Sequence, residues 1–410
     1  MCRVAVISAH GCPLARLGGR ETGGMNVYVR ELSRAMAGQG MEIDVYTRLT
    51  DPNLPEVTQF DEHARVIHIP AGDIGPMDKN KVLNHMPEFV CRVRQYAREH
   101  GITYDFVHSH YWLSAWAGGL LASRWNAPHI VTFHTLARLK NRADIGPTET
   151  EERAEIEARV LRTADAIIAS SEHERAAMVE LYGANGSSIH VIPPGIDLAL
   201  FRPVDREEAR ARLGLNGDRV ILAAGRIDPI KGFDTLLDAT ALLGKRDKTR
   251  LVLIGGSKGD ADLGALERRA ADLGIGDRVT FVGAVPQREL PAYYSAADVC
   301  VVPSRYESFG LVAAEALACG TPVIASKVGG LPSIVRDHEN GLLVPWRRPE
   351  AFAESIELVL DNQSLHRRLT REARRSVAHL SWERTARDTI ALYRSVGLAS
   401  SPAVVCGCHA

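Results

Sequence analysis

Short apolar, β-branched runs alternate with longer amphipathic stretches along almost the whole chain. Val4–Ser8, Glu42–Thr47, Phe106–Ser109, His129–Phe133, Ala166–Ala169 and Ile189–Ile192 have the length and residue types of buried strands. Helical patterns such as Met25–Gly38 and Glu172–Tyr182 lie between them. Proline and glycine then break both patterns at Pro193-Pro194-Gly195-Ile196-Asp197 and Phe201-Arg202-Pro203. The alternation restarts with strands expected at Val220–Ala224, Leu251–Ile254, Arg278–Phe281, Val299–Val302 and Pro322–Ala325, and helices near Phe233, Leu263, Arg288, Phe309 and Glu350. A last helical pattern, Trp382–Ser395, has no strand after it. Strand–helix alternation predicts parallel sheets with helices on both faces, here in two successive α/β domains of similar size. Ligand sites belong at the C-terminal ends of such strands and in the cleft between two such domains.

At 410 residues the chain exceeds one ordinary core, in keeping with two domains. A composition of 45% hydrophobic and 24% charged residues describes a soluble globular protein. A formal net charge of −1 argues against bulk capture of nucleic acid or of an anionic membrane. No run approaches the roughly 18 apolar residues that span a bilayer. The segment Met1–Ser8 lacks a signal-peptide layout and is expected to be a buried strand. Seven scattered cysteines argue against a disulfide framework and for a reducing cytoplasm. Cys406-Gly407-Cys408-His409 offers at most three metal ligands and is read as a frayed tail.

The densest chemistry lies in Pro303-Ser304-Arg305-Tyr306-Glu307-Ser308-Phe309-Gly310-Leu311, which joins a strand to a small-residue helix. Glu315 would lie inside that helix, and Glu307, eight positions earlier, in the loop above it. Gly310 would let a ligand approach the helix N-terminus. Taken alone, the pair is better read as two solvated glutamates on a plain strand–turn–helix, and the rest of the chain reverses that reading. Gly225-Arg226-Ile227-Asp228-Pro229-Ile230-Lys231-Gly232 places an arginine fork and a lysine point charge in one strand-to-helix loop, a diphosphate clamp or a charged surface turn. It is neither a Walker A loop nor GxGxxG. Gly255-Gly256-Ser257-Lys258-Gly259 is a weaker version of the same idea.

In the first domain, Ser8-Ala9-His10-Gly11 ends a strand. Gly18-Gly19 and Gly23-Gly24 follow, with Arg16 and Arg20, before the helix near Met25-Asn26. Such glycines let a ligand reach the exposed helix N–H groups. His108-Ser109-His110-Tyr111-Trp112 and Phe133-His134-Thr135 close two further strands. We expect the rings of His108 and His110 on opposite faces, with no cysteine or carboxylate to complete a zinc set. Hydrogen bonding to a polyhydroxylated ligand, or a structural role, fits these histidines better than a metal.

Together these pieces resemble retaining glycosyltransferases of the GT-B architecture, in which two Rossmann-like domains face an interdomain cleft and a C-terminal helix crosses back. Glu307 and Glu315 match the E-x7-E signature of the family that includes sucrose synthases, sucrose-phosphate synthases and mannosyltransferases (glycosyltransferase family 4, group 1). Gly225-Arg226 with Lys231-Gly232 matches its donor-diphosphate element, and Gly320-Thr321-Pro322 and Gly329-Gly330-Leu331-Pro332 the segment that follows. Thr22–Val29, His108–Ser114 and His134-Thr135-Leu136 are most similar to the inositol-phosphate N-acetylglucosaminyltransferases of mycothiol synthesis, with related motifs in sucrose-phosphate synthases.

The resemblance implies an acceptor-binding domain over 1–200, a nucleotide-sugar domain over 201–380, a crossing helix over 382–397 and a tail over 398–410. It implies donor contacts from His10, Gly24, Arg226, Lys231, Glu307, Phe309, Gly310, Leu311, Glu315 and Thr321. Glu315 would take the ribose hydroxyls and Glu307 the sugar hydroxyls. Arg226 and Lys231 would stabilise the departing phosphate, and His134 would bond the donor sugar. Acceptor contacts fall on Lys79, Tyr111, Thr135 and Arg153 for a phosphate and on Asn26 for an inositol ring. Phe133 before His134 and Arg138 after it depart from that subgroup. The implied substrates are a nucleotide sugar, expected to be a UDP-sugar, and a small phosphorylated acceptor. No cofactor and no metal are required, a loosely bound Mg²⁺ is left open, and a homodimer is suggested.

The competing readings are transfer to a sugar phosphate, as in sucrose-phosphate synthases, a lipid-linked mannosyltransferase, a nucleotide-sugar epimerase and a non-enzymatic sensor. Phe89–Arg98 carries three arginines but is unexceptional as a membrane helix. The paired glycine loop and the acceptor-side cations argue against an epimerase.

Overall fold

The computed structural model describes residues 2–15, 23–75, 77–143, 148–243, 249–257 and 259–400; of Lys79, Ala399 and Ser400 only the backbone is described. Among the described residues, fourteen strands form two sheets. The first contains β1 (Cys2–Ile7), β2 (Met41–Arg48), β3 (Val57–Asp61), β4 (Ala64–Ile69), β5 (Phe106–His110), β6 (His129–Thr132), β7 (Ala166–Ala169) and β8 (Ile189–Val191). Their order across the sheet is β3-β4-β2-β1-β5-β6-β7-β8. The second contains β9 (Arg219–Ala224), β10 (Thr249–Ile254), β11 (Val279–Gly283), β12 (Val299–Val302), β13 (Val323–Ser326) and β14 (Gly341–Val344), ordered β11-β10-β9-β12-β13-β14.

Every pairing in the second sheet is parallel. In the first sheet β3 alone runs antiparallel to its neighbour. An all-parallel reading of the chain misses that strand for a physical reason. Only Glu62 and His63 separate β3 from β4, and a two-residue link can return a chain only antiparallel. β12 is buried from end to end and β1 from Val4 onward, which explains their apolar runs, and β5 is equally buried although it ends in His108-Ser109-His110. Helices on each face bury separate apolar clusters against both sheets.

The last helix, Trp382–Ser400, runs three residues past the expected end at 397 and into the expected tail. Its Trp382, Ala386, Ile390 and Tyr393 pack with Val27, Tyr28 and Leu32 of the helix Gly24–Ala37, so it belongs to the first domain's core. The chain therefore crosses between domains twice, and the crossings lie side by side. Ile196 N–H donates to Leu380 O at 3.0 Å, and Thr385 Oγ1 donates to Pro193 O at 2.9 Å.

Candidate functional site

Both β1 and β9 lie inside their sheets with a crossover beside them, so the loops after them open at the switch points where α/β sheets take ligands. The loop after β9 ends at Gly232, whose backbone has φ +67°. A Cβ there would lie 2.1 Å from Pro303 O, so only glycine lets this loop approach the one after β12. That approach brings Lys231 Nζ within 2.6 Å of Glu307 Oε2. Both side chains are about one-fifth exposed, open to the cleft yet shielded enough to strengthen the pair. Arg226, from the same loop, lies 3.6 Å from Asp228. Across the cleft, a Cβ on Gly23 would touch the Arg226 side chain at 3.3 Å, and one on Gly24 would touch Leu311 at 3.4 Å. The glycine loop of the first domain thus faces the cationic loop and the helix N-terminus of the second.

Glu315 lies in the helix Leu311–Ala318, largely buried, and accepts from Tyr294 OH at 2.9 Å. Burial raises its carboxyl to about 7, while hydrogen bonds from Tyr294 and Gln287 pull the other way. Gln287 in turn accepts from Arg30 Nη2 across the cleft at 3.0 Å. Phe309 is buried in the second domain's core, where it anchors the turn. Gly310 (φ +110°) and Leu311 form the helix entry, and Thr321 Oγ1 donates to Tyr294 O at 2.6 Å, behind Glu315.

The first domain gathers Tyr111, Thr135 and Arg153 from three separate segments. Arg153 Nη1 donates to Tyr111 OH at 3.0 Å, and Nη2 donates to Thr135 O and Oγ1 at 3.0 and 3.1 Å. The guanidinium is fully buried beside two carboxylates, with Nε 2.7 Å from Glu157 and Nη1 2.9 Å from Glu149. Burial opposes its charge, but Tyr111, Glu157 and Glu149 outweigh that and hold it more firmly protonated than a free arginine. The His10 ring packs on Tyr111 at 4.3 Å. Asn26, expected at the acceptor's ring, is buried; its Oδ1 accepts from Gly23 N–H at 3.0 Å and its Nδ2 donates to Cys12 O at 2.9 Å. It clasps the glycine loop. Lys79 opens the four-residue helix Lys79–Val82, capped by Asp78.

His108 and His110 share one face of β5, contrary to the expectation of opposite faces, because side chains two apart on a strand point the same way. Their ring centroids are 4.3 Å apart. His108 bonds Tyr393 OH at 2.7 Å and Thr132 Oγ1 at 2.9 Å, and His110 Nδ1 bonds His134 Nε2 at 3.0 Å. Burial lowers His108 and His134 to about 3, so these imidazoles are neutral hydrogen-bonding groups. No group of three or more His, Cys, Asp or Glu among the described residues could hold a metal ion. His134 sits at φ +62°, a left-handed conformation costly for a side chain of this size. Its carbonyl accepts from Ser308 Oγ of the second domain.

Sequence reasoning missed Ser308, Tyr306, Tyr294 and Glu149. Tyr306 projects from the Glu307 loop into the first domain's core, joining the apolar cluster that contains Tyr111 and Phe133. Its signal was its place next to Glu307; nothing local marked Tyr294 or Glu149. Gly18, Gly19, Arg16, Arg20, Lys258 and the Cys406–His409 motif lie outside the described residues. Among the described residues no helix is long and apolar enough to cross a membrane.

Two α/β domains closing a cleft between a cation–carboxylate wall and a buried polar cluster define a GT-B glycosyltransferase. Residues 22–200 match the glycosyltransferase family 4 model and residues 205–376 the model of glycosyl transferases group 1. The chain belongs to this family and is a hexosyltransferase. It is similar to the D-inositol 3-phosphate glycosyltransferase of Jonesia denitrificans, 44% identical over 415 residues and covering 97% of each chain. The protein of the same name from Xylanimonas cellulosilytica is 42% identical over 403 residues, covering 95% of this chain and 96% of its own. Among solved structures, the sucrose-phosphate synthase of Thermosynechococcus elongatus superposes with a TM-score of 0.90 at 38% identity, over 98% of this chain and all of its own.

Proposed function

We propose that the protein moves a hexosyl group from a nucleotide sugar, expected to be a UDP-sugar, to a small phosphorylated acceptor such as an inositol phosphate, with retention of anomeric configuration. The observation that carries this reading is the convergence of Tyr111, Thr135 and Arg153 in one domain, opposite Arg226, Lys231 and Glu307 in the other. The first group suits an anion and the second a diphosphate and its sugar. The names of the similar inositol 3-phosphate glycosyltransferases point the same way.

Cleavage at the anomeric carbon places negative charge on the departing phosphate. Arg226 and Lys231 are cations fixed where that charge develops, and fixed charges cost no reorganisation during reaction. Glu315 would accept from the ribose hydroxyls and Glu307 from the sugar. Neutral His134 would hydrogen-bond the donor sugar without competing for its charge. In a same-face, oxocarbenium-like substitution the departing phosphate itself takes the acceptor's proton. Trapping a covalent glycosyl–enzyme adduct would sink that mechanism. We place the reaction in the cytoplasm and expect a homodimer, which sedimentation would test.

The decisive experiment is an acceptor screen with UDP-, GDP- and ADP-sugars, detecting released nucleotide. Turnover with an inositol phosphate and a UDP-sugar is expected; turnover with unphosphorylated inositol alone would overturn the reading. The TM-score of 0.90 favours one second reading, transfer to a sugar phosphate, and fructose 6-phosphate in the same screen decides it.

A further inference from the structure

The cations on the acceptor side already hold an anion of the chain's own. Glu149 precedes the helix Glu151–Thr163, and its side chain is only 5% exposed. Its Oε2 lies 2.9 Å from Arg153 Nη1, and its Oε1 pairs with Lys140 Nζ. The backbone behind it is clamped as well. Glu149 N–H donates to Asn141 Oδ1 at 2.8 Å, and Asn141 Nδ2 donates back to Glu149 O at 3.1 Å. The same Nη1 of Arg153 donates to Tyr111 OH at 3.0 Å. A carboxylate therefore stands where two cations and a phenol converge.

The two carboxylates on Arg153 are not equivalent. Glu157 is fully buried, accepts from Ala137 N–H at 2.8 Å and bonds Tyr182 OH, so it is part of the core. Glu149 sits on the connection into a helix, and its hold on Arg153 is through Nη1, on the side of Tyr111. A phosphate oxygen satisfies the same donors at the same distances and carries more charge.

We propose that Glu149 is an internal stand-in for the acceptor's phosphate, so that acceptor binding is an exchange of the Glu149 carboxylate for phosphate on Arg153 and Lys140. This rests on the phosphorylated-acceptor reading above. The exchange does two things for the reaction. It keeps the Lys140 ammonium and the Nη1 side of the Arg153 guanidinium paired until the acceptor arrives, and an unpaired cation in a buried site is costly. It also sets a threshold, since a neutral polyol brings nothing that can displace a carboxylate from two cations, whereas a phosphate dianion does. Glu149 would thus act as a specificity-determining residue, working by competition rather than by contact with the substrate.

The test uses the full chain carrying Glu149→Gln, which keeps the side-chain shape and the Asn141 clamp. Inorganic phosphate is the probe, titrated calorimetrically with no turnover. Phosphate should bind the variant at least about fivefold more tightly than wild type, and the KM for a phosphorylated acceptor should fall by a similar factor. If Glu149 only braces Arg153, the substitution weakens phosphate binding and raises that KM. Either that opposite shift or no shift overturns the proposal. Should Glu149→Gln fail to fold, Asn141→Ala decides, because it loosens Glu149 without touching a cation. Tighter phosphate binding there supports the exchange, and equal or weaker binding refutes it. Absence of turnover with every phosphorylated acceptor would refute the proposed function instead, and the phosphate titration would still decide the role of Glu149.

Discussion

Lys231 and Glu307 hold each other at 2.6 Å, and that pairing shapes what either can do for a substrate. In the proposed reaction a diphosphate would compete with Glu307 for the ammonium, and the freed carboxylate would then accept from sugar hydroxyls. Removing the lysine should therefore act on the step in which phosphate charge develops. Lys231→Ala is expected to lower kcat by about 10²–10³ at saturating donor, the effect typical of losing one fixed donor to a developing anion. Unchanged kcat would assign Lys231 to structure alone. Glu315 makes a prediction of a different kind. Burial raises its carboxyl to about 7, above the value it has in the unfolded chain. The folded state then binds the proton more tightly, so this group's contribution is full below the ordinary carboxylate range and is lost as pH rises toward 7. Melting temperature should fall more steeply from about pH 5 to about pH 8 in wild type than in Glu315→Gln. Hydroxyl donors favour the ionised carboxylate, so donor KM should improve over the same window in wild type only. Equal slopes in the two proteins would remove Glu315 from both accounts.

At the scale of elements, the loops are held by close backbone approach. Gly329 has φ +53°, and a Cβ there would lie 1.8 Å from Glu307 O. Gly330 N–H donates to that same carbonyl at 2.9 Å. Gly329→Ala should displace the Glu307 loop, costing about 1–3 kcal/mol of stability from strain and contact together, and should raise donor KM. Chemical denaturation and steady-state kinetics check both; a variant with wild-type stability and KM would mean the loop is not fixed here. The glycines were legible as motif residues in the sequence, but the clash that requires them was not. The same divide runs through the fold. Ala166–Ala169 and Val299–Val302 fall where their apolar runs place them, because central parallel strands are buried on both faces and show it in composition. Val57–Asp61 is a half-exposed edge strand without such a run, Ala64–Ile69 interrupts its apolar residues with Arg65 and His68, and Gly341–Val344 opens on a glycine, so all three escaped notice. In the first domain, Tyr111, Thr135 and Arg153 were legible as a group only through family resemblance. Their meeting depends on β5, β6 and the helix Glu151–Thr163 lying together in space, which no local pattern encodes. Glu149 had no signal at all, since a glutamate before a helix ordinarily serves the helix dipole.

Across the whole molecule, two paired crossings tie the domains, and a small set of polar contacts bridges the cleft between them. A Cβ on Gly195 would lie 2.3 Å from Trp382 N, so the crossings themselves are locked together. Between the two domains, Ser308 Oγ donates to His134 O, Ser170 Oγ donates to Ser308 O at 3.2 Å, and Arg30 reaches Gln287. Each such bond contributes about 1 kcal/mol net, so closure held this way is reversible and can be driven by substrates that bridge the cleft. Ser308 joins closure to chemistry, because it lies between Glu307 and Phe309 and bonds the residue expected to hold the donor sugar. Ser308→Ala removes one hydroxyl and leaves every charge in place. Losing about 1 kcal/mol from the closed form shifts the domain equilibrium about fivefold toward the open one. Small-angle scattering at saturating substrates should show a larger radius of gyration for the variant than for wild type. The kcat/KM for the acceptor should fall by about the same fivefold factor, and hydrolysis of the donor should rise because water is excluded less completely. Scattering curves that coincide, together with an unchanged hydrolysis fraction, would show that closure does not depend on the Ser308 bridge and that the paired crossings alone set the angle of the cleft.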